Sequence, residues 1–537
     1  MSAAEGTPAL LPTGETGTAG AARPARKGVI AERTVLVNIF TNWAWYLLVI
    51  ASGFILPRFI DRYQGQDLLG AWDFAWSIVF YVELMALGIR GAISRYTARY
   101  RATQDWPSMN ETVNSCLLML AACAVIGIAS VTVFCEFLPS VMSKASPDTL
   151  ATAYWAVMLL SLKAALQLPG SVFNAVITGY ERFDTLNLIR GIRDAAILVV
   201  DIVVLINGGG IIAMAIVVLI GELLGDLAKY VTARKLCPQM ELSTGLFRAS
   251  VCRTMIGFGG KALLRDIGRS GLYHMNLLFV AHFLSVGLTA VFARQRSLVM
   301  HLMRFMRQYA QVFMPTTSAL DAQDAQDATR RLLVQSSRLG MYVTVPVVIV
   351  LVIMGDLLVH LWMGPKYIAT GVLVILAVGH VLAIGQSGVY SILMGVDSHG
   401  WPALYEVMAA GVSIVMTFVC LSLGGGLEAA AWSIAVPVTI AGGIATPIHA
   451  CKCLKLSVGR YFSAVLVGPT LTSIPLAVCL WLARLRFETE YGKALIVGLA
   501  AGGVVTLVVY WFVVVPRRLR RHVVDRVMRI GRVSHAR

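Results

Sequence analysis

Six polar residues recur at intervals of three and four along one apolar stretch of the chain, residues 286–315. An α-helix has 3.6 residues per turn, so this spacing places all six side chains on one helical face. An arginine that faces lipid at mid-depth of a bilayer costs roughly 3 to 15 kcal/mol, depending on the method of estimate. The stripe must therefore face other helices or water. Its members are Arg294, Ser297, His301, Arg304, Gln308 and Gln311.

Two further stretches carry charged stripes of the same kind. Residues 257–283 place Arg265, Arg269, Tyr273 and Asn276 on one face, and residues 71–91 place Asp73, Trp76 and Glu83 on one side. Arginine suits phosphate because its planar fork donates two parallel hydrogen bonds. We therefore predict a wet, cationic cavity for an anionic, partly lipid substrate. Its predicted substrate-binding residues are Arg265, Arg269, Arg294 and Arg304, with His301, Ser297, Tyr273 and Trp76 as further polar or aromatic lining.

Four acidic residues lie within or beside the apolar stretches: Asp73, Glu83, Asp201 and Asp266. They are candidates for coupling transport to a cation. One alternative is that the arginines pair with these acids and only hold helices together. Another is that their long aliphatic chains let the guanidinium groups reach the membrane surface.

Aromatic residues cluster in the first two apolar stretches. They are either an interfacial belt or a platform on which sugar rings stack. The residues are Trp43, Trp45, Tyr46, Trp72 and Trp76.

The sequence lacks the motifs of common enzyme chemistry. Gly260-Lys261-Ala262 has neither the upstream glycine nor the Ser/Thr of a phosphate-binding loop, and HExxH and GxSxG are absent. Cys451 and Cys453 do not have the spacing of a zinc site. We therefore predict a protein that is not an enzyme and that has no cofactor and no metal.

The composition indicates where these stripes lie. Hydrophobic residues make up 57% of the 537, and charged residues only 14%, against about 25% in soluble domains. Mean hydropathy is +0.74. We predict an all-α polytopic membrane protein with about fourteen transmembrane helices. The predicted spans lie near 37–60, 71–91, 112–134, 149–177, 189–207, 210–233, 257–283, 286–315, 340–362, 368–394, 402–424, 427–450, 461–484 and 492–515.

The basic residues predict the orientation in the membrane. With the N-terminus on the cytoplasmic side, inner segments hold 31 Lys and Arg and outer loops hold 7. This bias predicts that both termini are cytoplasmic. It also accounts for most of the net charge of +16 without nucleic acid. The basic C-terminal tail is expected to lie on anionic membrane lipids.

Short similarities between the two halves predict an internal repeat. GGGIIAMA at 208–215 and GGGLEAAA at 424–431 are 216 residues apart, as are Thr178-Gly179-Tyr180 and Met394-Gly395-Val396. Two copies of six spans each enter the membrane in the same direction, which predicts two pseudo-symmetric six-helix lobes plus two C-terminal helices. The predicted division is a disordered N-tail at 1–34, an N-lobe at 35–236, a C-lobe at 250–456, two spans at 460–515 and a basic C-tail at 516–537.

Several ordered motifs resemble the polysaccharide-exporting flippases of the multidrug/oligosaccharidyl-lipid/polysaccharide exporter superfamily. The resemblance covers about residues 35–465. It rests on the second-span signature at 68–105, on GYERFD at 179–184 followed by Asn187, on Pro315 to Leu320, and on Leu361 to Tyr367. Two extra C-terminal spans are typical of the lipid II flippases in the superfamily.

The resemblance implies a flippase that carries polyprenyl-diphosphate-linked oligosaccharide across the bacterial cytoplasmic membrane by alternating access, for cell-surface polysaccharide biosynthesis. It implies lipid-linked oligosaccharide, and polysaccharide polymerase or export machinery, as partners. Two alternatives stay open: a cation-coupled small-molecule exporter of the same superfamily, and a membrane-embedded polymerase or ligase. Many family members carry an Asp near the outer end of the seventh span, where this chain has His274-Met275-Asn276. This departure puts cation coupling through such an acid in doubt.

Overall fold

The computed structural model describes residues 32–514 and residue 520. The side chains of residues 32–39, 87, 88, 90, 258–266, 269 and 270 lie outside this description. The predicted disordered N-tail and basic C-tail therefore fall outside the described residues, except at residues 32–34 and 520. Residues 32–34 are helical, so the N-tail was predicted three residues too long at its inner end.

The described chain consists of helices joined by short connections. Helices of the first half are α1 Glu32–Gln64, α2 Gln66–Leu84, α3 Leu87–Thr103, α4 Trp106–Glu136, α5 Leu138–Val141, α6 Pro147–Gly179, α7 Phe183–Ile206 and α8 Ile211–Leu236. Helices of the second half are α9 Ala249–Ser270, α10 Asn276–Phe283, α11 Val286–Gln311, α12 Phe313–Asp321, α13 Gln326–Met363, α14 Thr370–Gly385, α15 Ser387–Gly395, α16 Gly400–Ser422, α17 Leu427–Val438, α18 Thr446–Cys453, α19 Val458–Arg486 and α20 Tyr491–Val513. Two π-helical turns, Gly271–Met275 and Thr439–Ala445, join α9 to α10 and α17 to α18, and 3₁₀ turns lie at Thr244–Leu246 and Pro365–Tyr367.

Side chains at the start of several helices explain where those helices begin. Asp105, Ser146 and Ser285 each accept a hydrogen bond from the backbone N–H three residues later, which satisfies a donor that the helix itself leaves open. Proline occupies the first turn of α4 and α6, where its missing N–H costs nothing.

Ten of the described helices, or continuous helix pairs, are long and apolar enough to cross a membrane. They coincide with ten of the fourteen predicted spans, and the predicted class of an all-α polytopic membrane protein is confirmed. The other four predicted spans are helical too, and they correspond to α2 with α3, α7, α9 with α10, and α11. Charged residues lower the hydropathy of these four, and three of them, α2 with α3, α9 with α10, and α11, carry the predicted stripes.

Each half of the chain packs as a bundle. In the N-lobe, which we define as α1 to α8, α6 is the central helix and packs against α2, α4 and α8. In the C-lobe, α9 to α18, α14 packs against α13 and α17. The two C-terminal helices pack on the C-lobe, where α19 lies along α13 and Arg484 forms an ion pair of 2.6 Å with Asp356.

α9 of the C-lobe packs on α3 and α4 of the N-lobe. The two lobes also contact each other at the end of the molecule that holds the connections at 64–66, 137–147, 284–286 and 363–370, which we call the closed end. There Gln66 donates to the carbonyl of Gly287 at 3.1 Å, and Asp61 accepts from Tyr367 at 2.6 Å and pairs with Lys366 at 2.7 Å. Deeper in the molecule, α2 packs against α11, so the equivalent second helices of the two predicted repeats meet across the lobes.

Candidate functional site

A cavity of about 490 Å³ lies between the lobes, bordered by α1, α2, α6, α7, α8 and α11. We call it the central cavity. Its lining is mixed, with apolar side chains, two tryptophans (Trp72 and Trp76) and many charged groups. The polar and charged lining residues are Ser52, Asp73, Lys163, Arg193, Asp194, Asp201, Glu222, Arg294, Ser297, His301 and Arg304.

The polar stripe of α11 enters this cavity only in its first part. Arg294, Ser297, His301 and Arg304 line the central cavity, whereas Gln311 lines a second cavity in the C-lobe. The average spacing of the stripe is 3.4 residues, shorter than the 3.6 of a helical turn. The stripe therefore winds by roughly 100° around α11 over its length.

Arg294 lies deep in the protein and uses only part of its guanidinium. It is 4% exposed, and its Nη2 donates to a carboxylate oxygen of Asp73 at 2.6 Å. Its Nε and Nη1 are buried and have no hydrogen-bond partner among the described residues. Arg294 thus combines a structural ion pair between the lobes with two unused N–H donors at the cavity.

Arg304 differs from Arg294 in being exposed, and it forms no ion pair with any described residue. Between the two arginines, the imidazole of His301 stacks on Phe54, with 5.2 Å between the ring centroids. Arg304 is therefore the stripe arginine whose charge is least compensated.

The four predicted coupling acids occupy different environments. Asp73 pairs with Arg294, and Glu83 lies 3.4 Å from Lys163 without lining the central cavity. Asp201 lines the cavity and is fully buried, and neither of its carboxylate oxygens has a hydrogen-bond partner among the residues that the structure describes. The predicted site residues Arg265, Arg269 and Asp266 have side chains outside the described residues.

A network of charges in the N-lobe was not predicted from the sequence. Glu222 of α8 is its centre and lies 2.8 Å from Arg193, 3.2 Å from Lys229 and 3.6 Å from Lys163. The sequence does contain a pattern that indicates it. Glu222, Asp226 and Lys229 are spaced four and three residues apart along a predicted span, as the polar residues of α11 are.

The described lining of the central cavity contains four basic and four acidic side chains, so its effective charge depends on which of them are paired. Arg193 pairs with Asp194 and Glu222, Lys163 with Glu222, and Arg294 with Asp73. Arg304 and Asp201 are left without an ion pair among the described residues. The lining groups that lack an ion-pair or hydrogen-bond partner among the described residues are thus the Arg304 guanidinium, the buried Nε and Nη1 of Arg294 and the buried Asp201 carboxylate.

The second cavity, of about 480 Å³, lies within the C-lobe beside both π-helical turns. Tyr273 lines this cavity rather than the central one, together with Arg307, Gln311 and Glu406. The π-helical turn presents the Tyr273 carbonyl to Arg296, which donates to it. Sequence spacing alone had assigned Tyr273 to the same cavity as Arg294, because it assumed a regular helix through residues 271–275.

A family model described as polysaccharide biosynthesis protein matches residues 110–371. No curated protein matches the chain.

Solved structures of membrane transporters share the fold. The inward-facing structure of a multidrug resistance MATE family transporter of the MOP superfamily aligns with a TM-score of 0.64 at 14% identity, over 78% of this chain and 98% of that one. The lipid II flippase MurJ aligns with a TM-score of 0.64 at 12% identity, over 89% and 99% of the two chains. A MOP superfamily transporter from Pyrococcus furiosus aligns with a TM-score of 0.54 at 14% identity, over 80% and 93%. The predicted resemblance is confirmed at the level of the fold, which the chain shares with these transporters and with this flippase.

Proposed function

We propose that the protein is a flippase that carries polyprenyl-diphosphate-linked oligosaccharide from the cytoplasmic to the outer leaflet of a bacterial cytoplasmic membrane, for cell-surface polysaccharide biosynthesis. The observation that carries the proposal is the state of the stripe arginines in the central cavity. Arg294 has two buried N–H groups without an acceptor, and Arg304 has no ion-pair partner among the described residues.

A diphosphate is the ligand that these groups fit best. An unsatisfied buried donor costs about 1 to 3 kcal/mol, which an accepting phosphate oxygen would recover. Hydrogen bonds between guanidinium and phosphate are charge-assisted and roughly twice as strong as neutral ones. In this proposal Arg294 and Arg304 hold the diphosphate, and Arg265 and Arg269 remain predicted partners.

The surroundings of the arginines indicate where the glycan and the polyprenyl chain of the substrate would lie. Trp72 and Trp76 line the same cavity, with 6.1 Å between their ring centroids, and offer apolar faces on which sugar rings can stack. The polyprenyl chain stays in lipid between the lobes, because the outer faces of the helices expose large apolar side chains.

The two lobes would act as the moving bodies of alternating access. Their contacts at the closed end include polar ones, such as the Asp61–Lys366 pair, which can break and form again during a transport cycle. With both termini cytoplasmic, as the basic residues predict, the closed end faces outward.

Asp201 supports a second candidate, a cation-coupled exporter of small molecules. A fully buried carboxylate without a partner is costly unless a proton or cation compensates it. In the flippase proposal the same residue is the preferred coupling acid, so Asp201 alone does not distinguish the two functions. They are distinguished by the compound that accumulates when the gene is deleted.

The test is a leaflet assay in a host from which the gene is deleted. We would measure on which face lipid-linked oligosaccharide accumulates, and complement the deletion with the wild type, with Arg265→Ala plus Arg304→Ala, and with Arg460→Gln as a control. Arg460 is an exposed arginine of α19, far from the cavity.

The flippase proposal expects accumulation on the inner face, with rescue by the wild type and by the Arg460 control but not by the double variant. Rescue by the double variant at normal protein levels would leave flipping intact and refute the role of these arginines. Normal lipid-linked units on the outer face without polymer would indicate a polymerase or ligase. No change in these lipids, with increased sensitivity to small toxic compounds, would indicate the exporter.

A further inference from the structure

A separate polar chamber of about 430 Å³ lies inside the N-lobe, between α1, α3, α6, α7 and α8. The charged residues that line it are all basic: Arg190, Arg193 and Lys229. The described lining includes no acidic side chain, in contrast to the balanced lining of the central cavity. We call it the basic chamber.

The acids that pair with Arg193 and Lys229 lie outside the lining of the chamber. Arg193 contacts Asp194 and Glu222 at 2.8 Å, and both acids line the central cavity instead. Lys229 contacts Asp226 at 2.7 Å. The chamber is thus the side of the charge network that presents cations, which favours an anion.

Neutral polar groups complete the chamber. The amides of Gln167 and Asn174 and the hydroxyls of Ser171 and Thr178 also line it. The Asn174 carbonyl oxygen is buried without a hydrogen-bond partner, and a half-turn of the amide would place its NH₂ at the same point. Such a mixture of charged and neutral donors fits the oxygens of a phosphate group.

An apolar groove of about 480 Å³ runs along the outside of the same helices, between α7 and α8. We call it the α7–α8 groove. Its walls include exposed aliphatic side chains such as Ile192 and Leu224, and its only charged lining residue is Arg193. In a membrane protein this outward surface is covered by lipid hydrocarbon, so the occupant of the groove is a lipid chain.

Arg193 lies between the basic chamber and the α7–α8 groove. It lines both the basic chamber and the α7–α8 groove, and its aliphatic stem passes close to Gly225, where an added Cβ would lie 2.8 Å from the Arg193 Cδ. Arg190 and Lys229 each lie seven residues from the helix ends at Phe183 and Leu236, which corresponds to about 10 Å along the axis.

We propose that the N-lobe binds an anionic glycerophospholipid of the surrounding bilayer, with its phosphate in the basic chamber and one acyl chain in the α7–α8 groove. A bilayer lipid is the favoured occupant because the groove opens directly onto the bilayer, where such lipids are abundant. The site is distinct from the transport path proposed above. It requires neither a glycan nor flipping, so either proposal can fail without the other.

The test is native mass spectrometry of the purified full-length chain titrated with phosphatidylglycerol. Diacylglycerol supplies the chains without the phosphate, inorganic phosphate supplies the head without the chains, and a polyprenyl diphosphate supplies a different lipid. Arg190→Gln removes a charge from the chamber, and Ala196→Trp fills the groove from its exposed side. The matched controls are Arg460→Gln and Ala500→Trp, at exposed positions of α19 and α20.

Each test variant is expected to weaken phosphatidylglycerol binding about tenfold, and each control by less than twofold. Diacylglycerol and inorganic phosphate are expected to bind far more weakly than the intact lipid. Thermal unfolding and gel filtration verify that the variants are folded. Ala196→Trp, at an exposed position, keeps the test valid if Arg190→Gln does not fold.

Three results would overturn the proposal. Equal binding of diacylglycerol and phosphatidylglycerol would show that the chamber does not bind the phosphate. Unchanged phosphatidylglycerol affinity in Ala196→Trp would show that the groove does not bind an acyl chain. Stronger binding of the polyprenyl diphosphate than of phosphatidylglycerol, with the same sensitivity to both variants, would replace the bilayer lipid with a lipid carrier.

Discussion

Arg294 and Arg304 lie ten residues apart on α11, yet they are expected to respond differently to the same substitution. Arg294→Gln leaves the Asp73 carboxylate, whose side chain is only 15% exposed, without its partner, and the loss of a largely buried pair of this kind costs up to about 3 to 5 kcal/mol. Arg304→Gln removes no ion pair, so stability should change by less than about 0.5 kcal/mol. Thermal unfolding of the two purified variants measures this difference.

A double-mutant cycle tests the assignment of Arg294 further. Asp73→Asn in the Arg294→Gln background should recover a large part of the lost stability, because no unpaired charge then remains. If Arg294→Gln were as stable as Arg304→Gln, the ion pair between α2 and α11 would not contribute to the fold.

Asp201→Asn is expected to stabilise the protein while it impairs transport. The carboxylate is fully buried without a partner, and a neutral amide of the same size avoids burying a charge, for a gain of about 1 kcal/mol or more. If Asp201 couples transport to a cation, flipping driven by an ion gradient should fall at least tenfold in the same variant. The matched control is Asp184→Asn, an acid of α7 at its first turn, paired with Arg182. Higher stability with unchanged flipping would reject Asp201 as a coupling acid.

At the scale of elements, the sequence predicted the helices well and their charged contacts only in part. Apolar length locates ten spans directly, and the stripes of α2, of α9 with α10, and of α11 predict that these helices face other helices or water. Spacing along one helix cannot tell which partner a charged group meets. It therefore offered Asp73 only as one of four acids that could pair with the arginines, and did not single out Arg294, 221 residues later, as its partner. It missed that Glu222 contacts Arg193, Lys163 and Lys229.

The close packing of α2 on α11 gives a prediction about conformation. At Gly70 an added Cβ would overlap the carbonyl oxygen of Val286, so a side chain there would force the lobes apart at the closed end. Gly70→Val is therefore expected to favour states in which the closed end is open, and distances between spin labels on the two lobes would show it. Gly411→Val, on α16 with nothing within 4 Å, is the control and should leave those distances unchanged.

At the scale of the whole molecule, transport by moving lobes requires that the closed end opens. Asp61 and Lys366 lie on different lobes, and their charged ends are 2.7 Å apart. Cysteines at both positions can be joined by a short bifunctional methanethiosulfonate reagent, which a reductant releases. In a chain without its nine native cysteines, this cross-link should abolish flipping, and reduction should restore it. A matched pair between α13 and α19, Asp356→Cys with Arg484→Cys, does not connect the two lobes and should not block flipping. Full activity of the cross-linked Asp61–Lys366 pair would show that the lobes do not separate there.

The ion pair between Asp73 and Arg294 also bears on how the chain is made. During synthesis α2 reaches the membrane before α11, and an isolated arginine at the centre of a membrane helix costs about 3 kcal/mol during insertion. Asp73 can offset that cost only if α2 is already in place when α11 emerges from the ribosome. The N-lobe would thus serve as a template for the biogenesis of the C-lobe, and a chain with Asp73→Leu should integrate α11 less efficiently in a cell-free translation with membranes.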